Sequence, residues 1–260
     1  MLQRLLAIIM SAALCCAMVG AVHAADDVDL KLVLLADASG SIDEAELRFQ
    51  RDGYAAAITH PSVMSAITSG TKRRIAIVYV EWATDGSQAI IVPWTIIEGP
   101  ASAAQFATAL RDPSIPRRTW GGNAIGSAIA FGQALIEKNN ILGERLVIDL
   151  SADSANSWSG IPLETARQAA IAAGITINGL AILCRDDKCG GRPMGYSLED
   201  AFQRTIIGGP GAFVVTAEDD ASFESAVRRK LILEIADCRA YTCVSKAAWS
   251  AAAAASWPSR

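Results

Sequence analysis

The chain has 260 residues, of which 52% are hydrophobic, and this length is enough for one large α/β domain with a substantial core. Its 23 Lys and Arg residues against 27 Asp and Glu residues give a net charge of −4. Basic residues occur only in short groups such as Lys72–Arg74. This distribution excludes an extended basic surface of the kind that binds nucleic acid.

The first 24 residues have the pattern of a secretory signal peptide. Arg4 precedes an apolar run from Leu5 to Val22, and small residues follow at the expected cleavage position, after Ala24. The run is also long enough for an uncleaved anchor, so both outcomes stay open. Cleavage would leave 22 basic and 27 acidic residues, a net charge of −5. We expect a periplasmic or secreted protein, because no second hydrophobic span follows.

The folded part begins with an apolar run, Leu30–Leu35, that predicts a strand buried on both faces, as in a parallel sheet. This strand ends at Asp37, and hydroxyl groups follow at Ser39 and Ser41. We expect a helix that begins with Ser41 as its N-cap, because Glu44 lies three residues later. The same residues also suit a simple turn and helix cap, since Asp, Ser and Gly are common turn residues.

Strands and helices alternate along the rest of the chain. The further predicted strands are Arg74–Ala83, Gln88–Ile97, Arg145–Ser151, Ile175–Leu183 and Ala212–Thr216. The predicted helices are Ser41–Thr59, Gly99–Leu110, Ala124–Asn139, Leu163–Ala173 and Asp219–Ile235. The turn Thr84–Ser87 forms a hairpin, and Pro93 favours an edge position for the strand that follows it. The pattern predicts an α/β, Rossmann-like, doubly wound fold: a mostly parallel sheet with one antiparallel edge strand and helices on both faces.

Residues 26–243 are expected to form this single domain, and residues 244–260 an alanine-rich C-terminal tail. Four cysteines lie in the last third of the chain: Cys184, Cys189, Cys238 and Cys243. An even number of cysteines in an exported chain favours two structural disulfides, with three possible connectivities. A zinc site is the alternative, because a Cys-x4-Cys spacing occurs twice.

Polar groups in three separate loops could share one cation. The first loop carries Asp37, Ser39 and Ser41, the second contains Gly121-Gly122-Asn123, and the third contains Asp153 after a buried strand. Open α/β sheets bind ligands at the carboxyl ends of their strands. Oxygen donors of mixed charge suit Mg²⁺, which takes few carboxylates and keeps several waters. If the first and fourth strands are neighbours, the three loops meet over one point.

These three segments resemble the von Willebrand factor A (vWA) domain with a metal-ion-dependent adhesion site (MIDAS). The family pattern is Asp-x-Ser-x-Ser, then Gly-Gly-Thr-x-x-Gly, then an Asp after the fourth strand. Asp37–Ser41 matches the first element in full, and Gly121–Gly126 matches the second except that Asn123 replaces Thr. Asp153 matches the third, although Ser154 stands where glycine is common. The resemblance extends from about Val28 to Ile235 and is nearest to an exported bacterial branch of unassigned function.

The resemblance implies a domain that binds Mg²⁺ or Mn²⁺ and uses it to recognise another protein, whose carboxylate completes the coordination shell. The implied metal ligands are Asp37, Ser39, Ser41, Asn123 and Asp153. The amide of Asn123 reaches further than a threonine hydroxyl, so direct ligation, ligation through water and a site too weak to hold metal all stay open. Thr119 could supply a hydroxyl instead.

Thr119, Trp120 and Trp158 are candidate partner-binding residues, because they lie in the second and third loops. Exposed aromatic side chains there would contact a partner directly. The alternative is that the tryptophans pack locally and cover the loops.

An exported, cation-dependent, non-enzymatic protein-binding module is the leading hypothesis. A hydrolase would use Ser39 or Ser41 as nucleophile, but only His60 remains after cleavage, at a helix end before proline. No Gly-x-Ser-x-Gly motif is present. A small-molecule-binding protein is the third possibility, although one compact domain lacks the two-lobed cleft typical of that class.

Overall fold

The computed structural model describes residues 26–183, 196–218 and 220–236. Within these residues, six strands form one sheet in the order β3-β2-β1-β4-β5-β6. They are β1 (Asp27–Asp37), β2 (Ile75–Trp82), β3 (Gln88–Ile97), β4 (Leu142–Ala152), β5 (Thr176–Ile182) and β6 (Val214–Ala217). All neighbouring pairs are parallel except β2–β3, which is antiparallel and places β3 at the edge. The predicted sheet is therefore confirmed.

Helices cover both faces of this sheet. The described helices are α1 (Glu44–Thr59), α2 (Pro61–Ser69), α3 (Pro100–Leu110), α4 (Ile125–Glu137), α5 (Leu163–Ala172), α6 (Leu198–Ala201) and α7 (Asp220–Ile235). A π-helical turn, Phe202–Ile206, continues α6. One apolar core lies between the sheet and α1, α2, α3 and α7, and the other lies under α4, α5 and α6. None of the helices described here is long and apolar enough to cross a membrane.

The central strand β1 positions the loops of interest. Leu32 and Leu34 pack into the first core, whereas Val33 and Leu35 pack into the second, as a strand buried on both faces requires. β1 pairs in parallel with β4, in a register that includes Ala36 opposite Ser151. The predicted adjacency of the first and fourth strands is therefore confirmed, and the two strands end at the same edge of the sheet.

The start of α1 differs from the prediction, which placed the N-cap at Ser41. The N-cap is Asp43, whose Oδ1 accepts hydrogen bonds from the N–H groups of Ala45 and Glu46 at 2.7 and 2.8 Å. The Glu46 carboxylate accepts from the Asp43 N–H at 2.7 Å and completes a capping box. Because Asp43 performs the capping, Ser41 is not used for it.

Two helices were not predicted. His60 ends α1 as expected, but its Nδ1 also accepts from the Ser62 N–H at 3.2 Å and caps α2, in which Pro61 occupies a first-turn position. The same two residues therefore end one helix and begin the next. The short α6 was also missed. The predicted signal peptide, the C-terminal tail and the four cysteines lie outside the described residues.

A buried charged cluster joins α7 to the sheet. Lys230 Nζ lies 2.6 Å from Asp149 Oδ1 in β4 and 2.5 Å from Glu234 Oε1, and Asn178 of β5 donates to Glu234 Oε1 at 3.1 Å. All four side chains are almost fully buried. Burial raises the pKa of Asp149 and, together with the charge of Asp149, raises the pKa of Glu234 to about 7. Lys230 is therefore the cation that allows two carboxyl groups to share this interior site.

Substitution Lys230→Met should lower the free energy of unfolding by about 3–5 kcal/mol, because it leaves two buried carboxyl groups without their cation. Urea unfolding followed by circular dichroism measures this loss. The matched control is Arg228→Met, which removes a cation of the same helix from a partly exposed pair with Glu224 at 3.9 Å. The control should lose less than about 1 kcal/mol. Equal losses in the two variants would contradict the role given to Lys230.

Candidate metal centre

Three loops meet where β1, β2 and β4 end. Loop 1 comprises residues 38–43, loop 2 residues 119–124 and loop 3 residues 153–162. The Gly40 N–H donates to the Gly121 carbonyl at 2.8 Å and joins loops 1 and 2. The Trp158 N–H donates to the Asn123 carbonyl at 2.7 Å and joins loops 2 and 3. The predicted meeting of the three loops is thus present as direct backbone hydrogen bonds.

Asp37 is fully buried at the end of β1. Its Oδ1 accepts from the Ser39 N–H at 2.8 Å, and its Oδ2 has no hydrogen-bond partner in the described part of the chain. The pKa of Asp37 is raised to about 7, first by burial and then by the negative charge of Asp153, against the lowering effect of the hydrogen bond from the Ser39 N–H. The structure therefore brings the two carboxyl groups close enough for their charges to repel.

The two hydroxyl candidates lie beside this pair. Ser39 is almost fully buried, whereas Ser41 is exposed, and their Oγ atoms are 3.3 Å apart. Ser39 and Ser41 thus extend the oxygen donors of Asp37 from the interior towards the surface.

Loop 2 contributes Asn123, which is buried except for 8% of its surface. Its carbonyl accepts from Trp158, and its side-chain amide makes no hydrogen bond to any described residue. Thr119 is fully buried, its Oγ1 has no hydrogen-bond partner among the described residues, and it is not part of the exposed surface. Asn123 is therefore the side chain of loop 2 whose amide stays free for a ligand or a water.

The two loop tryptophans are exposed. Trp120 has 62% and Trp158 has 75% of its surface accessible. The backbone N–H of Trp120 is held by Ser87 Oγ at 3.2 Å, and that of Trp158 is held by Asn123. Their side chains therefore do not cover the loops by local packing, although their backbones are fixed.

Sequence reasoning missed Arg117, which donates hydrogen bonds to backbone carbonyls of loops 1 and 2. No sequence signal could have found it, because the partners are main-chain groups and a lone arginine in a loop belongs to no motif.

The donor set fits a hard divalent cation. Asp37 and Asp153 would supply carboxylates, Ser39 and Ser41 would supply hydroxyls, and Asn123 would supply an amide oxygen; these are donors that Mg²⁺ and Mn²⁺ accept. Among the described residues, no three His, Cys, Asp or Glu side chains form a group that could hold a metal. A cation here would therefore depend on the hydroxyl groups and on water as well as on two carboxylates. It would give Asp37 Oδ2 a partner and offset the repulsion between the carboxylates.

The model of the family described as "Protein of unknown function (DUF1194)" matches residues 27–239. The chain belongs to the DUF1194 family. This is a vWA-like family, so the resemblance inferred from the motifs is confirmed. No curated protein matches the DUF1194 chain.

Solved vWA structures share the fold. The pilus adhesin SpaC from Lactobacillus rhamnosus GG, in its open conformation, has a TM-score of 0.55 at 16% identity and covers 80% of this chain and 30% of its own. The structure of proximal thread matrix protein 1 from the mussel byssus has a zinc-occupied MIDAS motif. It has a TM-score of 0.55 at 17% identity, and the match covers 81% of this chain and 48% of the byssus protein. The SpRpn10 VWA domain has a TM-score of 0.52 at 14% identity, and the match covers 80% of this chain and 98% of that domain. The DUF1194 chain thus spans about a third of the adhesin and half of the byssus protein.

The role of Asn123 as a ligand stays a prediction, and Asn123→Thr tests it. The substitution restores the family residue, so it should tighten Mg²⁺ and Mn²⁺ binding, because the shorter hydroxyl side chain fits the family geometry. Titration calorimetry measures the affinity. Asn156→Thr in loop 3 makes the same change at an exposed position and should leave the affinity unchanged. Weaker or equal binding by Asn123→Thr would reject the expectation that a threonine at this position tightens the site.

Proposed function

We propose that this protein is an exported, non-enzymatic module that binds a partner protein through a divalent cation, Mg²⁺ or Mn²⁺, at a MIDAS-like site. The observation that carries the proposal is the parallel pairing of β1 with β4, together with the backbone hydrogen bonds that join loops 1, 2 and 3. These contacts bring the segments that carry Asp37, the two serines, Asn123 and Asp153 to one end of the sheet. Residues 26–243 would form the binding domain, and residues 1–24 would direct export before cleavage. The adhesin and the MIDAS-containing byssus protein, which share the fold, support this assignment.

The cation would allow an acidic partner to bind an acidic protein. The whole chain has a net charge of −4, which disfavours approach of a carboxylate. Two carboxylates balance a divalent cation formally, but neutral ligands and water in the remaining positions leave it attractive to an anionic oxygen. A partner's Asp or Glu side chain would therefore replace one water and supply the last ligand.

The exposed tryptophans extend this contact beyond the cation. Trp120 and Trp158 project from loops that hydrogen bond to one another at the site. Large aromatic side chains with fixed backbones are common at the centre of protein interfaces. We therefore assign the partner an acidic residue with apolar neighbours, and Trp120 and Trp158 the contacts with those neighbours.

A catalytic role for the same cleft has less support. His60, the single histidine after residue 24, lies at the far end of α1 from Asp43, and its Nδ1 is within 2.7 Å of Ser62 Oγ in the cap of α2. A 16-residue helix is about 24 Å long, so His60 cannot act as a base for Ser39 or Ser41.

Removal of the cation should abolish partner capture. The full-length protein, immobilised, should retain a partner from an envelope extract in Mg²⁺, lose it in EDTA and regain it when Mg²⁺ is restored. Asp37→Ala should lose capture under all three conditions, because no other described group replaces the buried carboxylate. Partner capture that persists in EDTA or in Asp37→Ala would contradict the proposal. Hydrolysis of an ester or phosphate substrate by the wild-type protein, abolished in Ser39→Ala, would also contradict it.

Substitution of both tryptophans by alanine should separate partner binding from cation binding. The double variant should bind Mn²⁺ with unchanged affinity, since neither side chain is a proposed ligand, yet capture at least tenfold less partner. Calorimetry and quantitative capture provide the two measurements. Trp94→Ala in the edge strand β3 is the control and should capture normally. Full partner capture by the double variant would contradict the assignment of Trp120 and Trp158 to the interface.

A further inference from the structure

Arg117 donates hydrogen bonds to three backbone carbonyls of loop 1 and to one of loop 2. Its Nη1 donates to the Ile42 carbonyl at 2.6 Å, and its Nη2 donates to the carbonyls of Ala38 and Ser39 at 2.6 and 2.8 Å. Its Nε donates to the Thr119 carbonyl of loop 2 at 2.8 Å. A guanidinium has five N–H donors, and these contacts use four of them.

The contacts of Arg117 complete the hydrogen bonding of the loop that carries the serines. The Ala38 N–H donates to the Trp82 carbonyl, and the Ser39 N–H donates to the Asp37 carboxylate. The Gly40 N–H donates to the Gly121 carbonyl, and the Ile42 N–H donates to the Ser39 carbonyl. Arg117 binds the carbonyls of Ala38, Ser39 and Ile42, which lie on either side of Ser39 and Ser41. The backbone around both hydroxyls is therefore fixed through its donors and its acceptors.

The positive charge of Arg117 has only a minor effect on nearby acids, because other groups contribute more to the pKa of Asp43 and of Glu81. Arg117 is only partly buried, and none of the described carboxylates forms a salt bridge with it. Three other arginines line a cavity with Arg117, beside the candidate metal centre, and each pairs with a carboxylate. The pairs are Arg48 with Glu44 at 3.4 Å, Arg51 with Glu81 at 2.6 Å and Arg111 with Asp52 at 3.0 Å. Because the hydrogen bonds of Arg117 all go to main-chain carbonyls, its main contribution is to the conformation of the loops.

We infer that Arg117 is a positioning residue that fixes Ser39 and Ser41 in the geometry required by the cation. The inference rests on the proposed function, because it assigns Arg117 to the same cation site. A loop ordered in advance loses less conformational entropy when the cation binds. Residues that orient metal ligands typically contribute 10–100-fold to metal affinity.

Charge and positioning predict opposite effects of Arg117→Ala. Removal of a positive charge near the site would by itself tighten binding of a divalent cation. Loss of four hydrogen bonds that fix the loop would weaken it. Arg117→Lys separates the two further, since lysine keeps the charge but its single ammonium group cannot reach four carbonyls in a planar arrangement.

The experiment compares Mn²⁺ affinity in the wild-type protein, Arg117→Ala, Arg117→Lys and the control Arg118→Ala. Arg118 is the exposed neighbour and makes no hydrogen bond or salt bridge to a described residue. Electron paramagnetic resonance of free Mn²⁺ gives the affinities, and thermal unfolding without metal gives the stabilities. We expect at least about tenfold weaker binding in both Arg117 variants, at a temperature where each is folded, and less than about twofold change in Arg118→Ala.

Equal or tighter Mn²⁺ binding by Arg117→Ala would overturn the inference, as would full affinity in Arg117→Lys. A lower melting temperature with unchanged affinity would assign Arg117 to stability alone and would also overturn it. A wild-type protein that binds no Mn²⁺ would instead refute the proposed function, and the inference with it. The two failures are therefore distinguishable. If Arg117→Ala does not fold, Arg117→Lys decides the question.

Discussion

The parallel pairing of β1 with β4 is the constraint on which the candidate site depends. It brings Asp37 and Asp153 to one edge of the sheet, where burial and mutual repulsion raise the pKa of Asp37 to about 7. Backbone hydrogen bonds join loops 1, 2 and 3, so the backbone segments that carry the candidate ligands are held together. An arrangement of this kind is stable as two carboxylates only if a cation offsets their repulsion.

Two other buried carboxylates of the same sheet have a cation, and a third, Asp29, accepts backbone N–H groups on both of its oxygens. Asp149 of β4 has Lys230 at 2.6 Å, and Glu81 of β2 has Arg51 at 2.6 and 3.0 Å. Each of these acids thus has a buried cation from a helix. Asp37 has no such partner among the described residues, and its Oδ2 accepts no hydrogen bond there. We interpret this difference as a sign that the positive charge for Asp37 comes from outside the chain.

Much of this organisation could be predicted from the sequence because it follows from short-range patterns. Apolar runs predicted the strands, Pro93 predicted the edge position of β3, and three spaced motifs predicted which loops meet. The errors arose where two local signals compete. Ser41 and Asp43 are both good N-caps, and each is followed after three residues by the glutamate that a capping box requires. The helix begins at Asp43.

The contacts that could not be predicted are those between distant side chains and the main chain. Arg117 reaches loop 1 from more than 70 residues away, and Lys230 reaches Asp149 from the last helix. Neither belongs to a motif, because carbonyl groups carry no sequence signature and a helical lysine is usually exposed. Both residues stabilise the end of the sheet at which the motifs lie: Arg117 contacts loops 1 and 2, and Lys230 contacts Asp149 of β4.

The most direct measurement is a crystal structure of the protein grown with Mn²⁺, with the ion located by its anomalous scattering. The account predicts one peak coordinated by oxygens from both Asp37 and Asp153, directly or through a single water, with the Ser39 and Ser41 hydroxyls in the same shell. A peak that contacts only one of the two carboxylates, or no peak at this edge of the sheet at a saturating concentration, would contradict it.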